Sequence, residues 1–219
     1  MKCKMTYHRT RAGWLANRGH GIGGSDAAAV IGANPWMSNV ELWEIKTGQR
    51  LQDDISNSPA VKFGTQAEAS IRRLFELDHP EYKMEYKPNN SWTNEDYPWA
   101  LASLDGWLTD ESGRRGVWEC KTTEIMRDRD WDKWKNSIPQ NYFCQVLHYM
   151  AVTESDFAVL RARIKYIASG EFRWATRDYT ILAEDVAEDM RYLMDEEKKF
   201  WRLVETKTRP SLILPDLKF

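Results

Sequence analysis

Asp105, Glu119 and Lys121 are the residues whose types and spacing carry chemistry. The stretches Ala102-Ser-Leu-Asp-Gly106 and Val117-Trp-Glu-Cys-Lys121 flank the turn-rich Asp110-Glu-Ser-Gly113, so they read as two strands of a hairpin. Folding the ladder about Ser112 puts Asp105 opposite Glu119, where facing side chains lie roughly 5 Å apart and like charges repel. A cation between the carboxylates relieves that repulsion. Side chains alternate along a strand, so Lys121 shares the face of Glu119. Two acids and an ammonium on one face make a hard-metal site with a lysine beside it, a set suited to metal-dependent phosphodiester hydrolysis. The competing reading is a solvated strand face with a cross-strand ion pair and an ordinary Asp-Gly turn.

Such hydrolysis needs oxygen ligands, a water near the metal, and a group that holds or activates the water. Asp105 and Glu119 supply carboxylates, and the backbone carbonyl of Cys120 between them is available as a neutral third ligand. Lys121 can hydrogen-bond the attacking water and favour its hydroxide form. Glu68 and Gln145, on predicted helices, are outer members of the set. Taken singly, the first reads as a surface helix acid and the second as a polar helix position.

Elements must bring these residues together. The N-terminal quarter reads as helical, with a helix over 9–17, a glycine-rich Gly19-His-Gly-Ile-Gly-Gly-Ser-Asp26, a second helix from Ala27 capped by Ser25 or Asp26, and a third over 39–47 closed by Gly48. A long helix over 59–77 carries the apolar stripe Val61, Ala67, Ile71, Leu74 and Phe75. Strands are expected over 82–92, 99–108 and 116–122, helices over 127–136 and 139–151, and a hairpin turning at Ser169-Gly170. A final amphipathic helix over 182–204 turns Leu182, Val186, Met190, Leu193, Phe200 and Trp201 inward. This order predicts an α/β fold, a mixed central sheet flanked by helices on both faces. The expectation is a single unit over 1–219, its helical segment 1–58 packing on the 59–219 sheet core.

Composition narrows the classes. The 219 residues suit one domain with a sizeable core. No apolar run approaches the ~20 residues of a membrane span. The start, Met1-Lys-Cys-Lys-Met5, has no apolar leader segment, and Cys3, Cys120 and Cys144 form neither a disulfide framework nor a Cys-x-x-Cys clip, so a reducing cytoplasm is expected. The net charge of −2 is not that of a protein that coats nucleic acid, yet basic residues gather in the first two-thirds of the chain and acids over 184–197. His8, His20, His79 and His148 match no recurring zinc spacing. The glycine-rich stretch lacks the Gly-Lys-Ser/Thr of a P-loop and the preceding strand of a dinucleotide fingerprint.

Phe63-Gly-x-x-x-Glu68, Ser103-Leu-Asp-Gly106, Glu119-Cys-Lys121 and Gln145-Val-Leu-His-Tyr149 occur in this order. Together they resemble the lambda-exonuclease family, also called YqaJ-type viral recombinases, within the PD-(D/E)xK nuclease superfamily. Arg18-Gly-x-Gly-Ile-Gly-Gly-Ser-Asp-Ala-Ala28 and Pro35-Trp36 are typical of the YqaJ branch, and the likeness runs from about Trp14 to Ala151. Leu104 stands where the superfamily often has proline. The resemblance implies a PD-(D/E)xK restriction-endonuclease-like core. It also implies an Mg²⁺-dependent 5′→3′ exonuclease on double-stranded DNA ends, with Mn²⁺ substituting and one or two ions per site. On this resemblance Asp105 and Glu119 match the metal ligands, Lys121 the catalytic lysine, Glu68 the assisting helix acid and Gln145 a helix glutamine at the active site. Arg18 and Ser25 match the pair that grips the 5′-phosphate, and Val61 falls near an apolar wedge, though it also fits the buried helix stripe. Ring-shaped homotrimers and a single-strand annealing partner are implied as well. Independently of the family, Ser25 at a helix start, Gly23 and Gly24 allowing close backbone approach, and a bidentate Arg18 suit a phosphate. The rival readings are another PD-(D/E)xK nuclease, endonuclease or repair enzyme, and a non-catalytic DNA-end binding protein of the same fold.

Overall fold

The computed structural model describes residues 2–214, leaving out the side chains of 128 and 129. The expected unit over 1–219 therefore reaches past the described residues at both ends. The chain forms β1 (Cys3–Tyr7), α1 (Arg11–Arg18), β2 (Ile22–Gly23), α2 (Gly24–Val30) and α3 (Asn39–Lys46), then the long α4 (Pro59–Asp78). The middle supplies β3 (Lys83–Glu85), β4 (Asn90–Asn94), β5 (Ala100–Leu101), β6 (Gly106–Thr109) and β7 (Arg115–Ile125). After α5 (Asp128–Trp131) and a 3-10 turn come α6 (Gln140–Thr153), β8 (Phe157–Ala168), β9 (Glu171–Leu182) and α7 (Ala187–Glu205).

The central sheet has the order β3-β6-β7-β8-β9, with β7 and β8 parallel and the other neighbours antiparallel. It is the expected mixed sheet. Ile71 and Phe75 of α4 cover one face, packing with Leu108, Trp118, Phe157 and Val159. α6 covers the other, where Val146, Leu147 and Met150 share a core with Val117, Leu160 and Ala162, and α2 and α7 pack behind it. Burial on both faces explains the near-continuous apolar run at the start of β8. The β8–β9 hairpin turns where predicted, at Ser169 and Gly170, both with positive φ (54° and 80°), as a two-residue hairpin turn requires.

Several expectations need correction. The N-terminal quarter is not all helical: β1 pairs antiparallel with β4, from Cys3 opposite Asn94 to Tyr7 opposite Asn90. The strand expected over 82–92 is two strands in different sheets, because Pro88 cannot donate to a ladder and Asn89 adopts φ 53°. The strand expected over 99–108 is also broken. Between β5 and β6 the chain is held by the side chain of Asn90, whose Oδ1 accepts from Leu104 N (2.8 Å) and whose Nδ2 donates to Leu104 O (2.8 Å). One amide thus replaces a strand partner. Leu182 belongs to β9, paired with Phe157, and the final helix begins only at Ala187. Leu74, counted in the α4 stripe, is exposed. The N-cap of α2 is Gly23 rather than Ser25 or Asp26, both of which lie in its first turn.

Candidate active site

The predicted hairpin register is observed. Gly106 faces Trp118 and Thr109 faces Arg115, a ladder centred on Ser112. Asp105 lies one residue before β6, so the same register carried one step further sets it against Glu119. There Asp105 Oδ2 accepts the Cys120 backbone N–H at 3.0 Å, while Arg72 Nε donates to the Asp105 carbonyl at 2.9 Å. Alternation along β7 brings Lys121 to the face of Glu119, and its Nζ is 2.7 Å from Glu119 Oε1.

Gln145 closes the group from α6. Its Nε2 donates to Glu119 Oε1 (2.8 Å) and its Oε1 accepts from Lys121 Nζ (2.9 Å), so one amide braces both the acid and the ammonium. Glu68 approaches from α4, held by Arg72 one turn further along the same helix. Arg72 thus ties Glu68 to the Asp105 loop, and its guanidinium also lies over the Tyr86 ring, 3.5 Å from the centroid. The five residues expected to converge, Glu68, Asp105, Glu119, Lys121 and Gln145, do so.

Crowding of acids in a buried site controls their protonation. Burial and the Asp105 charge push the Glu119 carboxyl up to about 8 against the pull of Lys121. Burial and Asp105 likewise raise Glu68 to about 7, with Arg72 opposing. Asp105 is raised by burial, against Lys121 and the Cys120 N–H. Burial alone would lower Lys121, but the Glu119 and Asp105 carboxylates hold it above its ordinary value. It is an ammonium, a donor and electrostatic partner rather than a proton acceptor. The Cys120 thiol is raised by burial and the same acids, which leaves it inert.

A second group adjoins the first. Arg18 Nη2 donates to Ser25 Oγ at 2.8 Å, and the guanidinium lies 4.9 Å from the Trp14 ring centroid. Arg18, Trp14, Gly23, Gly24 and Tyr149 line one crevice. A Cβ on Gly24 would come 2.3 Å from the Tyr149 ring, so only glycine permits that approach. Tyr149 OH in turn accepts from Gln145 Nε2 at 3.0 Å. The Arg18 crevice and the acid cluster are therefore joined through Tyr149 and Gln145. Asp26 is buried, accepts the Gly23 N–H at 3.0 Å and pairs with buried Lys46 at 2.8 Å, which fixes the glycine turn. Val61 sits half-buried near the start of α4, outside the cluster of acids.

Arg72, Tyr149 and Asn90 went unassigned in the sequence. The first two were within reach, since each lies four residues beyond a named site residue on one helix face, Arg72 after Glu68 and Tyr149 after Gln145. Asn90 gave no signal, because its partner is backbone fourteen residues away.

The donor set suits a hard divalent cation. Glu119 Oε2 is buried without a hydrogen-bond partner among the described residues, while Oε1 is already engaged. An orphaned carboxylate oxygen beside a second acid is what such an ion satisfies. Among the described residues no group of three or more His, Cys, Asp or Glu side chains is placed to hold a metal ion. No helix of the described residues is long and apolar enough to cross a membrane.

A family model described as the YqaJ-like viral recombinase domain matches residues 13–156. The "Uncharacterized protein YqaJ" of Bacillus subtilis (strain 168) is 32% identical over 197 residues, covering 88% of this chain and 56% of that protein, so the chain spans little more than half the relative's length. Among solved structures, the alkaline exonuclease LHK-Exo of Laribacter hongkongensis aligns over 90% of this chain and 93% of its own with TM-score 0.62 and 19% identity. LHK-Exo in complex with dAMP gives TM-score 0.64 over the same shares, also at 19% identity. A phage related exonuclease from Haemophilus somnus 129PT gives 0.51, at 12% identity over 85% and 96%. These likenesses show a shared fold, a mixed sheet between helices. The matched span encloses both the Arg18 crevice and the acid cluster, and the chain belongs to the YqaJ-like viral recombinase domain family.

Proposed function

We propose that the chain is an Mg²⁺-dependent exonuclease that degrades one strand of linear double-stranded DNA from its 5′ end. It releases 5′-mononucleotides and leaves 3′ single-stranded overhangs for recombination by strand annealing, and Mn²⁺ substitutes for Mg²⁺. The observation that carries this reading is the buried Glu119 carboxylate, with one oxygen braced by Lys121 and Gln145 and the other unpartnered beside Asp105. Asp105, Glu119 and the Cys120 carbonyl would hold the ion, with Glu68 assisting. When bound, the cation supplies Lewis acidity toward the scissile phosphate and lowers the pKa of an associated water.

The chain's own residues do the rest. Arg18, with Ser25, receives the terminal 5′-phosphate bidentately, and Tyr149 sets the span from that anchor to the reacting phosphodiester. Lys121 donates hydrogen bonds to the attacking oxygen and stabilises the charge that develops there. Gln145 keeps Lys121 and Glu119 in fixed relation, so little reorganisation accompanies in-line displacement. Val61, near the start of α4, serves as the apolar wedge at the duplex end. A ring-shaped trimer would give processivity by topology rather than by tight binding, and a single-strand annealing protein would take the exposed strand. That LHK-Exo is an alkaline exonuclease crystallised with dAMP supports both the reaction class and the mononucleotide product.

The deciding experiment compares linear duplexes with and without a 5′-phosphate in Mg²⁺, alongside closed circular DNA. Faster digestion of the phosphorylated end, lost in Arg18→Ala, is the expected result. Cutting of the circle would indicate an endonuclease of the same fold, and no digestion of any substrate would leave a DNA-end binding protein.

A further inference from the structure

Only the N-terminal end of α4 reaches the distal half of the β8–β9 hairpin, and among the described residues the rest of that face is uncovered. Register places Thr122 and Glu124 of β7, Arg163, Lys165 and Ile167 of β8, and Phe172, Trp174 and Thr176 of β9 on that face. Phe63, early in α4, stacks on Trp174 with ring centroids 5.4 Å apart and planes at 22°. Cations alternate with the rings: Arg163 lies over Trp174 at 5.1 Å and Lys165 over Phe172 at 4.0 Å. Phe63, Phe172 and Trp174 are 43%, 58% and 39% exposed, unusual for three neighbouring aromatics. Phe63 and Trp174, with Thr122 next to Lys121 in the chain, line a cavity of about 600 Å³. Among the described residues Glu124 is the one acid lining that cavity, 3.2 Å from Lys165.

We infer that this face, on the side of β7 opposite to that of Glu119 and Lys121, is a stacking platform for single-stranded DNA. The inference rests on the nuclease reading only for the source of the strand. Unpaired bases present π-faces that duplex DNA hides, and aromatic rings interleaved with cations bind them with little sequence preference. Arg163 and Lys165 complement the phosphates, whereas an apolar protein partner would leave Arg163 without an acid.

The test is fluorescence anisotropy with labelled oligothymidylate in EDTA, where no hydrolysis occurs. Phe63→Ala and Trp174→Ala should each weaken binding about tenfold, while Trp174→Phe stays within about threefold because a ring remains. Lys165→Gln should lower the slope of log affinity against log salt by about 0.7, and this surface change keeps the test intact if Trp174→Ala folds poorly. Unchanged affinity in the alanine variants, with native circular dichroism, overturns the platform. So does unchanged affinity with an altered mass by light scattering, which would assign the face to contact between copies. Digestion of linear duplex by the wild type in Mg²⁺ reports the nuclease reading separately, so either can fail alone.

Discussion

Lys121 is held as an ammonium between two carboxylates and the Gln145 oxygen, so it acts by donating hydrogen bonds rather than by taking a proton. Lys121→Ala should therefore cut hydrolysis by about 10²–10³-fold, the usual effect of removing one donor at a developing charge. Duplex affinity, measured in Ca²⁺, should stay near wild type. A comparable loss of binding would mean that Lys121 anchors DNA instead. His148, between Gln145 and Tyr149 on α6, illustrates a different use of a buried charge. Its Nδ1 faces Glu197 at 2.8 Å and its Nε2 faces the Leu101 carbonyl at 3.1 Å, a pair of partners that favours an imidazolium. Burial lowers its pKa, but Glu197, the Leu101 carbonyl and Asp26 raise it above the ordinary value. A raised histidine contributes its stability fully below the unfolded pKa of about 6.5 and loses it as pH climbs through the folded value. The melting-temperature deficit of His148→Gln should accordingly be largest near pH 6 and narrow at alkaline pH. A deficit that widens with pH would contradict the charged ring.

At the scale of elements, the glycine turn before α2 depends on an ion pair supplied by α3. Lys46→Met removes the partner of buried Asp26 and should cost about 3–5 kcal/mol, the range for stranding a buried charge. Chemical denaturation measures it, and Asp26→Asn together with Lys46→Met should recover part of the loss. Alternation and turn chemistry made the β6–β7 hairpin legible, which is why Asp105, Glu119 and Lys121 were found in register from sequence. Periodicity likewise located α4, α6 and the β8–β9 turn. What stayed hidden was set by distant partners. The β1 strand exists because β4 pairs with it across more than eighty residues, and the break after β5 exists because the Asn90 side chain replaces a ladder. Leu182 kept its helical appearance because an apolar residue reads alike at a strand end and at a helix start. Only Phe157 across the sheet settles which it is.

For the whole molecule, an ion held as proposed would give the unpartnered Glu119 oxygen a partner in the native state and not in the unfolded chain. Mg²⁺ or Mn²⁺ should therefore raise the melting temperature, by the equivalent of about 2.7 kcal/mol at one hundred times Kd. Glu119→Gln should abolish the shift in a thermal scan, and an undiminished shift in that variant would place the ion elsewhere. The order of the sheet has a separate consequence. β7 and β8 are parallel neighbours, so α6 lies within the crossover that joins them. Asp105, Glu119 and Lys121 come from the β6–β7 hairpin and Glu68 from α4, but the brace, Gln145 with Tyr149, rides on this crossover. Gln145 lies 24 residues beyond Lys121 and 26 beyond Glu119 in the chain, so the brace is synthesised after the groups it aligns. A chain still emerging from the ribosome would hold its reactive carboxylates yet lack the amide that aligns them. On the proposed nuclease reading, destructive capacity is thereby withheld until the architecture is finished.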